Sequence, residues 1–315
     1  MTNATENDSF SEVSAPHLGT PNSSGAHLDR RAALAMFGSG VVVSAISACS
    51  RGPSKPAPTP AATKTAPPVP SAAPDQGQTG VASREEIIAN YQNVAPGEFG
   101  PDIPGIKVAL PPGSTVAAIT LDACGGPNGS GLDRQILDTL RYFQIPATLF
   151  INQRWAQEHP ETMGELVDDT LFDIENHGTK HLPLSVDGQA VYGIEGTRSV
   201  GEVYDEIMGN QEYLRSEYGV QCQFFRPGTA FLDETSAQIC LDLGLTPAGF
   251  SLNLDNGATL PAESVEERVT HFAGGDIGLG HFNIPSSGTG TGLARALPQL
   301  MERDIEFATL RQATR

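Results

Sequence analysis

Short apolar runs recur through the C-terminal two thirds of the chain, and most of them stop at a residue that can do chemistry. Val116-Ala117-Ala118-Ile119-Thr120-Leu121 ends at Asp122, and Leu171-Phe172-Asp173-Ile174 leads to His177-Gly178-Thr179-Lys180-His181. Phe224-Phe225 is followed by Arg226-Pro227, and Ile277-Gly278-Leu279-Gly280 by His281. Near-continuous apolar runs of this length fit strands buried on both faces of a parallel sheet. The pattern predicts strands near 115–121, 146–151, 171–175, 222–225, 246–251, 276–281 and 305–309. Helices are predicted near 132–143, 161–169, 199–217, 233–243, 262–271 and 289–303. Strand and helix alternating in series imply a parallel sheet with helical crossovers. Polar groups at the strand ends favour an α/β fold closed, or nearly closed, into a (β/α) barrel of about seven parallel strands, whose loops converge on one face. An open doubly wound sheet is the runner-up.

The N-terminal part lacks this pattern. Arg30-Arg31 precede a small-residue apolar segment, Ala32 to Ala48, that is short for a membrane span and reads as an export signal of twin-arginine type over 1–48. Ile46-Ser47-Ala48-Cys49 has the form of a bacterial lipobox, which implies cleavage before Cys49 and a lipid on its thiol. The expected location is the outer face of a bacterial cytoplasmic membrane, as a lipoprotein anchored through Cys49; a secreted protein with an incidental cysteine is the other reading. Between Gly52 and Pro74 there are eight prolines in 23 residues, so 49–82 is expected to be a disordered spacer with no core. An N-terminal extension follows over 83–112, with Ser83 placed to cap a helix that carries Glu85-Glu86 in its first turn. The main domain is expected to span 113–315.

Charge narrows the partners. The net charge is −18, and the segment 1–49 contributes only Arg30 and Arg31 against Glu6, Asp8, Glu12 and Asp29. The mature chain stays strongly acidic, which argues against nucleic acid or a polyanionic glycan as partner. A neutral or cationic substrate fits better.

Two imidazoles and a carboxylate can bind a divalent metal and leave a position open for water. His177 and His181, four residues apart after a strand, are the candidate ligands. Asp122, Arg226 and His281 stand at three other strand ends. In this order, Thr120-Leu121-Asp122-Ala123-Cys124, Asn176-His177-Gly178-Thr179-Lys180-His181, Phe225-Arg226-Pro227-Gly228 and Leu279-Gly280-His281 resemble the NodB-homology polysaccharide deacetylases, carbohydrate esterase family four, over roughly 113–315. The resemblance implies a deformed (β/α) barrel with a divalent metal, most often zinc, that removes acetyl groups from N-acetylated polysaccharide. It implies Asp122 as general base, His177 and His181 as metal ligands, Arg226 as the group that orients the base, and His281 as the acid that protonates the departing amine. The oxyanion is then expected near the backbone of Gly228-Thr229.

The chain departs from that pattern at Ala123, where the family has a second aspartate that ligates the metal. Cys124 can supply a thiolate instead, or Asp122 can turn to the metal and leave the base role vacant. Gly228-Thr229 replaces a proline-aromatic pair, and Trp155, the single tryptophan, lies elsewhere. Asp255 either holds Arg226 or caps a turn with Asn256-Gly257, and the turn is favoured. Cys222 and Cys240 belong to one strand-helix unit and are candidates for a disulfide, with Cys124 left free. His159 and His271 are expected at the surface. Two functions follow: a metal-dependent deacetylase, or a catalytically impaired glycan-binding lipoprotein on the same fold.

Overall fold

The structure, a computed structural model, describes residues 80–315. The export signal over 1–48, the anchor residue Cys49 and the spacer up to residue 79 lie outside the described residues. No helix among the described residues is long and apolar enough to cross a membrane.

The main sheet is built from β1 (Val116–Ala123), β2 (Ala147–Ile151), β3 (Phe172–Asn176), β4 (Phe224–Phe225), β5 (Thr246–Pro247), β6 (Leu252–Asn253), β7 (Ile277–His281) and β8 (Glu306–Phe307). Seven of these run in the order β6-β7-β1-β2-β3-β4-β5, with β8 beside the first residues of β1, and every pairing is parallel. The two edge strands, β5 and β6, are separated in sequence only by residues 248–251. Five extended steps reach about 18 Å, whereas a flat sheet would hold these strands about 29 Å apart. The sheet must therefore curl, and it forms the partly closed barrel expected from the sequence rather than an open doubly wound sheet. The single strand expected over 246–251 is corrected to the two short strands β5 and β6, because the chain there crosses the gap in the barrel instead of pairing along it.

The helices between the strands are α1 (Arg84–Tyr91), α2 (Arg134–Phe143), α3 (Gln153–Glu158), α4 (Pro160–Asp168), α5 (Val200–Tyr218), α6 (Glu234–Asp242), α7 (Ala262–Val269), α8 (Thr289–Glu302) and α9 (Leu310–Ala313). Ser83 caps α1 with a reciprocal bond from Glu86, as its spacing predicts. Residues 83–112 pack on the barrel domain: Arg84 pairs with Asp205 of α5 at 2.7 Å, and Phe99–Gly100 pairs antiparallel with Leu232–Asp233.

Alternation along β1 sorts its side chains. Ala117, Ile119, Leu121 and Ala123 join the large apolar cluster with helix residues such as Ile136, Leu140 and Leu297. Ala118 joins a smaller cluster with Phe150, Phe224, Ala248, Ile277 and Leu310 of α9, which lies within the barrel. Successive strand residues face opposite sides, so Thr120 and Asp122 share the barrel side with Ala118. Leu310 begins α9 with its N–H donated to the buried Thr148 hydroxyl, which ties the C-terminal helix to β2.

Candidate active site

The C-terminal ends of β1, β3, β4, β6 and β7 surround a cavity of about 800 Å³ whose lining includes Asp122, Cys124, His181, Asn253, Leu279 and His281. This is the end at which barrels carry their chemistry. All five residues expected to act, Asp122, His177, His181, Arg226 and His281, are brought together around it, and Arg226 is fully buried.

Arg226 fixes Asp122. Its Nη1 donates to Asp122 Oδ1 at 2.7 Å and to the Thr120 hydroxyl at 2.9 Å, while Nε and Nη2 reach the carbonyls of Ala248 and Gly249. The guanidinium lies 4.2 Å from the Phe150 ring centre, so one side rests on an aromatic face and the planar donors are spent on oxygens. Burial pushes the Asp122 carboxyl up, but the charges of Arg226, His177 and His281 outweigh it and hold the carboxyl below its ordinary range.

His177 follows β3 with Nδ1 2.8 Å from the Arg226 carbonyl, so that nitrogen carries a proton and Nε2 is turned toward the cluster. That Nε2 lies 3.7 Å from Cys124 Sγ and 3.5 Å from Asp122 Oδ2. His181 stacks edge-on against His177 at 4.8 Å between ring centres. Its backbone adopts φ 64°, a left-handed conformation that a non-glycine residue keeps only under constraint. The constraint comes from Glu206 of α5, whose buried carboxylate accepts the N–H groups of Lys180 at 2.9 Å and Leu182 at 3.1 Å. Gly228 completes the cradle, since a Cβ there would meet the His181 carbonyl oxygen at 2.2 Å.

Cys124, His177 and His181 place one ligand atom each within 4.8 Å of one another. Two imidazoles and a thiol form a donor set suited to zinc and similar divalent metals, and the bond from His177 Nδ1 to a carbonyl is the outer-shell support such a ligand requires. Burial alone would raise the Cys124 thiol, but His181, His177 and His281 beside it bring it well below its ordinary value. Asp122 stands outside this set, its Oδ1 engaged by Arg226. Ala123 faces the helix layer at 0% exposure, while Cys124, two residues beyond Asp122, returns to the cavity side.

His281, at the end of β7, donates Nδ1 to Asp255 Oδ1 at 2.9 Å, and its own N–H reaches Asp255 Oδ2 at 2.7 Å. Burial works against an imidazolium here, but Asp255 and Cys124 overcome it and raise His281 well above its ordinary value. Asp255 is fully buried and also accepts the Thr289 hydroxyl at the start of α8. The expectation for Asp255 is thus corrected: it does accept the Gly257 N–H of the turn at 3.1 Å, but its main partner is His281, and it does not hold Arg226.

Two further expectations change. Cys222 and Cys240 are free thiols, both buried in the apolar cluster, which raises them above ordinary thiol values. Membership in one strand-helix unit does not bring their sulfurs to bonding distance. His159 is half-buried rather than at the surface, with Nε2 2.8 Å from the Ser130 carbonyl and its ring stacked 4.5 Å from Trp155. His271 is exposed, as expected. Glu206 escaped sequence reasoning, although an acid on the apolar side of α5, one residue before Ile207 and three after Val203, is a signal that could have found it.

Residues 109–248 match the family model for polysaccharide deacetylase. Over that segment the chain is similar to this family. Among solved structures, the chain is similar to a family 4 carbohydrate esterase pseudoenzyme from Bacillus anthracis, with 18% identity, 67% of this chain and 69% of that chain covered, and a TM-score of 0.57. A mutant of that pseudoenzyme has restored enzymatic activity. A peptidoglycan N-acetylglucosamine deacetylase is similar at 21% identity, over 66% of this chain and 91% of that chain, with a TM-score of 0.55. A family 4 carbohydrate esterase from Streptomyces lividans in complex with acetate shares 20% identity over 62% of this chain and 92% of that chain, with a TM-score of 0.50. These likenesses bear on the fold, and the chain shares it.

Proposed function

We propose that the protein is a metal-dependent hydrolase that removes N-acetyl groups from a bacterial cell-surface polysaccharide. The observation that carries this reading is a pair of oriented groups on one cavity: Asp122 held by Arg226, and His281 held by Asp255, beside the Cys124, His177 and His181 cluster. On this reading Cys124, His177 and His181 hold a divalent metal, zinc first. Such an ion supplies Lewis acidity and brings the pKa of water toward neutrality.

The chain's own residues do the proton work. Asp122 is kept ionised beside Arg226 and accepts a proton from the attacking water as general base. His281 is kept protonated by Asp255 and delivers a proton to the amine nitrogen, a poor leaving group until it is protonated. Arg226 and Asp255 are positioning residues: each fixes the atom that exchanges the proton. Peptidoglycan-type N-acetylglucosamine polymers are the leading substrates, in line with the activity named for one similar structure. Export over 1–48 and a lipid on Cys49 would bring the domain to that substrate, and the sequence alone supports them.

The test is acetate release from N-acetylglucosamine oligomers by zinc-loaded and metal-depleted protein, with cobalt substitution of the same protein. Release should require metal and fall by at least about 100-fold in Asp122→Asn. The cobalt protein should show a thiolate charge-transfer band that is lost in Cys124→Ser. Release by metal-depleted protein would overturn the reading. A second reading, a catalytically impaired glycan-binding protein, draws on Ala123, which leaves the cluster without its family carboxylate. Oligomer binding without any acetate release would favour it.

A further inference from the structure

The cavity has an aromatic wall that the proposed proton transfers do not use. Residues Ala190–Val191 and Ile194–Glu195 form an antiparallel hairpin, and its two turn residues, Tyr192 and Gly193, have φ 53° and 75°. Two central residues at positive φ are what a tight type I′ hairpin turn requires, and asparagine or glycine usually takes the first place. A tyrosine there is held in a left-handed conformation that costs its backbone on the order of 1 kcal/mol. Nothing in the fold repays it by burial, because the Tyr192 side chain is 78% exposed.

The ring is nonetheless placed. It stands edge-on to Phe231 at 5.6 Å between ring centres, and Phe231 in turn packs against Phe99 at 5.6 Å. Six large apolar side chains are exposed among the described residues, and only Tyr192 and its hairpin neighbour Ile194 border the active-site cavity. The same cavity is also lined by neutral hydrogen-bonding groups, Asn128, Asn253 and Asn256 among them. A volume of about 800 Å³ lies within the usual range for small-molecule sites, roughly 300–1,000 Å³, and far exceeds what an acetyl group fills. An aromatic face and amide side chains on one cavity suit a ring with one apolar C–H face and a hydroxyl rim. The chain's strong acidity disfavours an anionic occupant overall, with Arg154 the one arginine in the lining.

We propose that Tyr192, backed by Phe231 and flanked by Ile194, is a stacking platform for a pyranose ring of the glycan adjacent to the sugar that reacts. The proposal rests on the deacetylase reading of this cavity and adds a specificity determinant to it: Tyr192 selects polymer over isolated sugar. It is a positioning residue.

The test measures binding of monomeric N-acetylglucosamine and of its pentasaccharide to the full chain by calorimetry, alongside acetate release. Tyr192→Gly removes the ring and relaxes the positive φ, so the hairpin keeps its turn; Tyr192→Phe keeps the stacking face. Tyr192→Gly should raise the pentasaccharide Kd about tenfold and the monosaccharide Kd less than about threefold, with Tyr192→Phe within about twofold of the wild type. An unchanged pentasaccharide Kd in Tyr192→Gly, or an equal loss for both lengths, overturns the platform. Acetate release with no effect of Tyr192→Gly on the pentasaccharide refutes the platform and leaves the reaction standing. Tyr192-dependent binding without acetate release refutes the reaction and leaves the platform standing.

Discussion

Asp122, Phe150 and Glu175 are register partners across β1, β2 and β3, so two acids flank one aromatic ring on a single row of the barrel wall. Each acid is buried against an arginine: Asp122 with Arg226 at 2.7 Å, and Glu175 with Arg311 of α9 at 2.5 Å. Their proton affinities nevertheless move in opposite directions. Asp122 has a fully buried arginine and two imidazoles around it, and it is held below its ordinary value. Glu175 has one arginine, whose side chain is 21% exposed, and the N–H groups of Gln223 and Phe224; burial outweighs them and pushes its carboxyl up to about 7. Position in the sheet is therefore a poor guide to an acid's state. The number and burial of its positive neighbours decide whether it is kept ready to take a proton or merely ties the C-terminal helix to the wall.

The largest effect should come from Arg226→Met, which leaves Asp122 buried without its counter-charge. A loss of about 3–5 kcal/mol in urea unfolding is expected, together with loss of acetate release. A stable variant would show that Asp122 does not depend on Arg226 and would dissolve the contrast between the two pairs. A smaller effect lies in the pH dependence. Because the Glu175 carboxyl is raised in the folded state from an ordinary 4.5 to about 7, the folded chain holds that proton more tightly than the unfolded one. The stability this gives is fully present below about 4.5 and is lost as pH rises through about 7, a change on the order of 3 kcal/mol. Unfolding of Glu175→Gln, followed over that window, should show a flatter slope than the wild type; an equal slope would place the titration elsewhere. The smallest loss is expected for Arg311→Met. Glu175 can take up a proton near neutral pH when its partner is removed, so the cost should be on the order of 1–2 kcal/mol with kcat unchanged. A loss as large as that of Arg226→Met would make the two pairs equivalent.

Much of this was legible before the fold. Strands buried on both faces leave apolar runs, so the positions of β1, β2, β3 and β7 could be read to within a few residues, and the groups ending them were the right ones to single out. Short elements left weaker traces: α3 and the 190–195 hairpin have too few residues to establish a period. Asp255 was read as a turn residue because Asn256-Gly257 gives a strong local signal, whereas its bond to His281 joins residues 26 apart. Cys222 and Cys240 looked like partners because sequence proximity says nothing of the direction in which each side chain points.

By itself, the sequence determined the order of elements, the strand ends that carry Asp122, His177, His181, Arg226 and His281, and the family likeness, because these depend on local periodicity and on short motifs. The tertiary structure decided the rest. The sheet curls because residues 248–251 must join its two edges. Ala123 faces the helices and Cys124 the cavity because side chains alternate along a strand. The states of Asp122, Glu175 and His281 follow from charges brought close by folding, and charge acts through space, whatever the spacing along the chain.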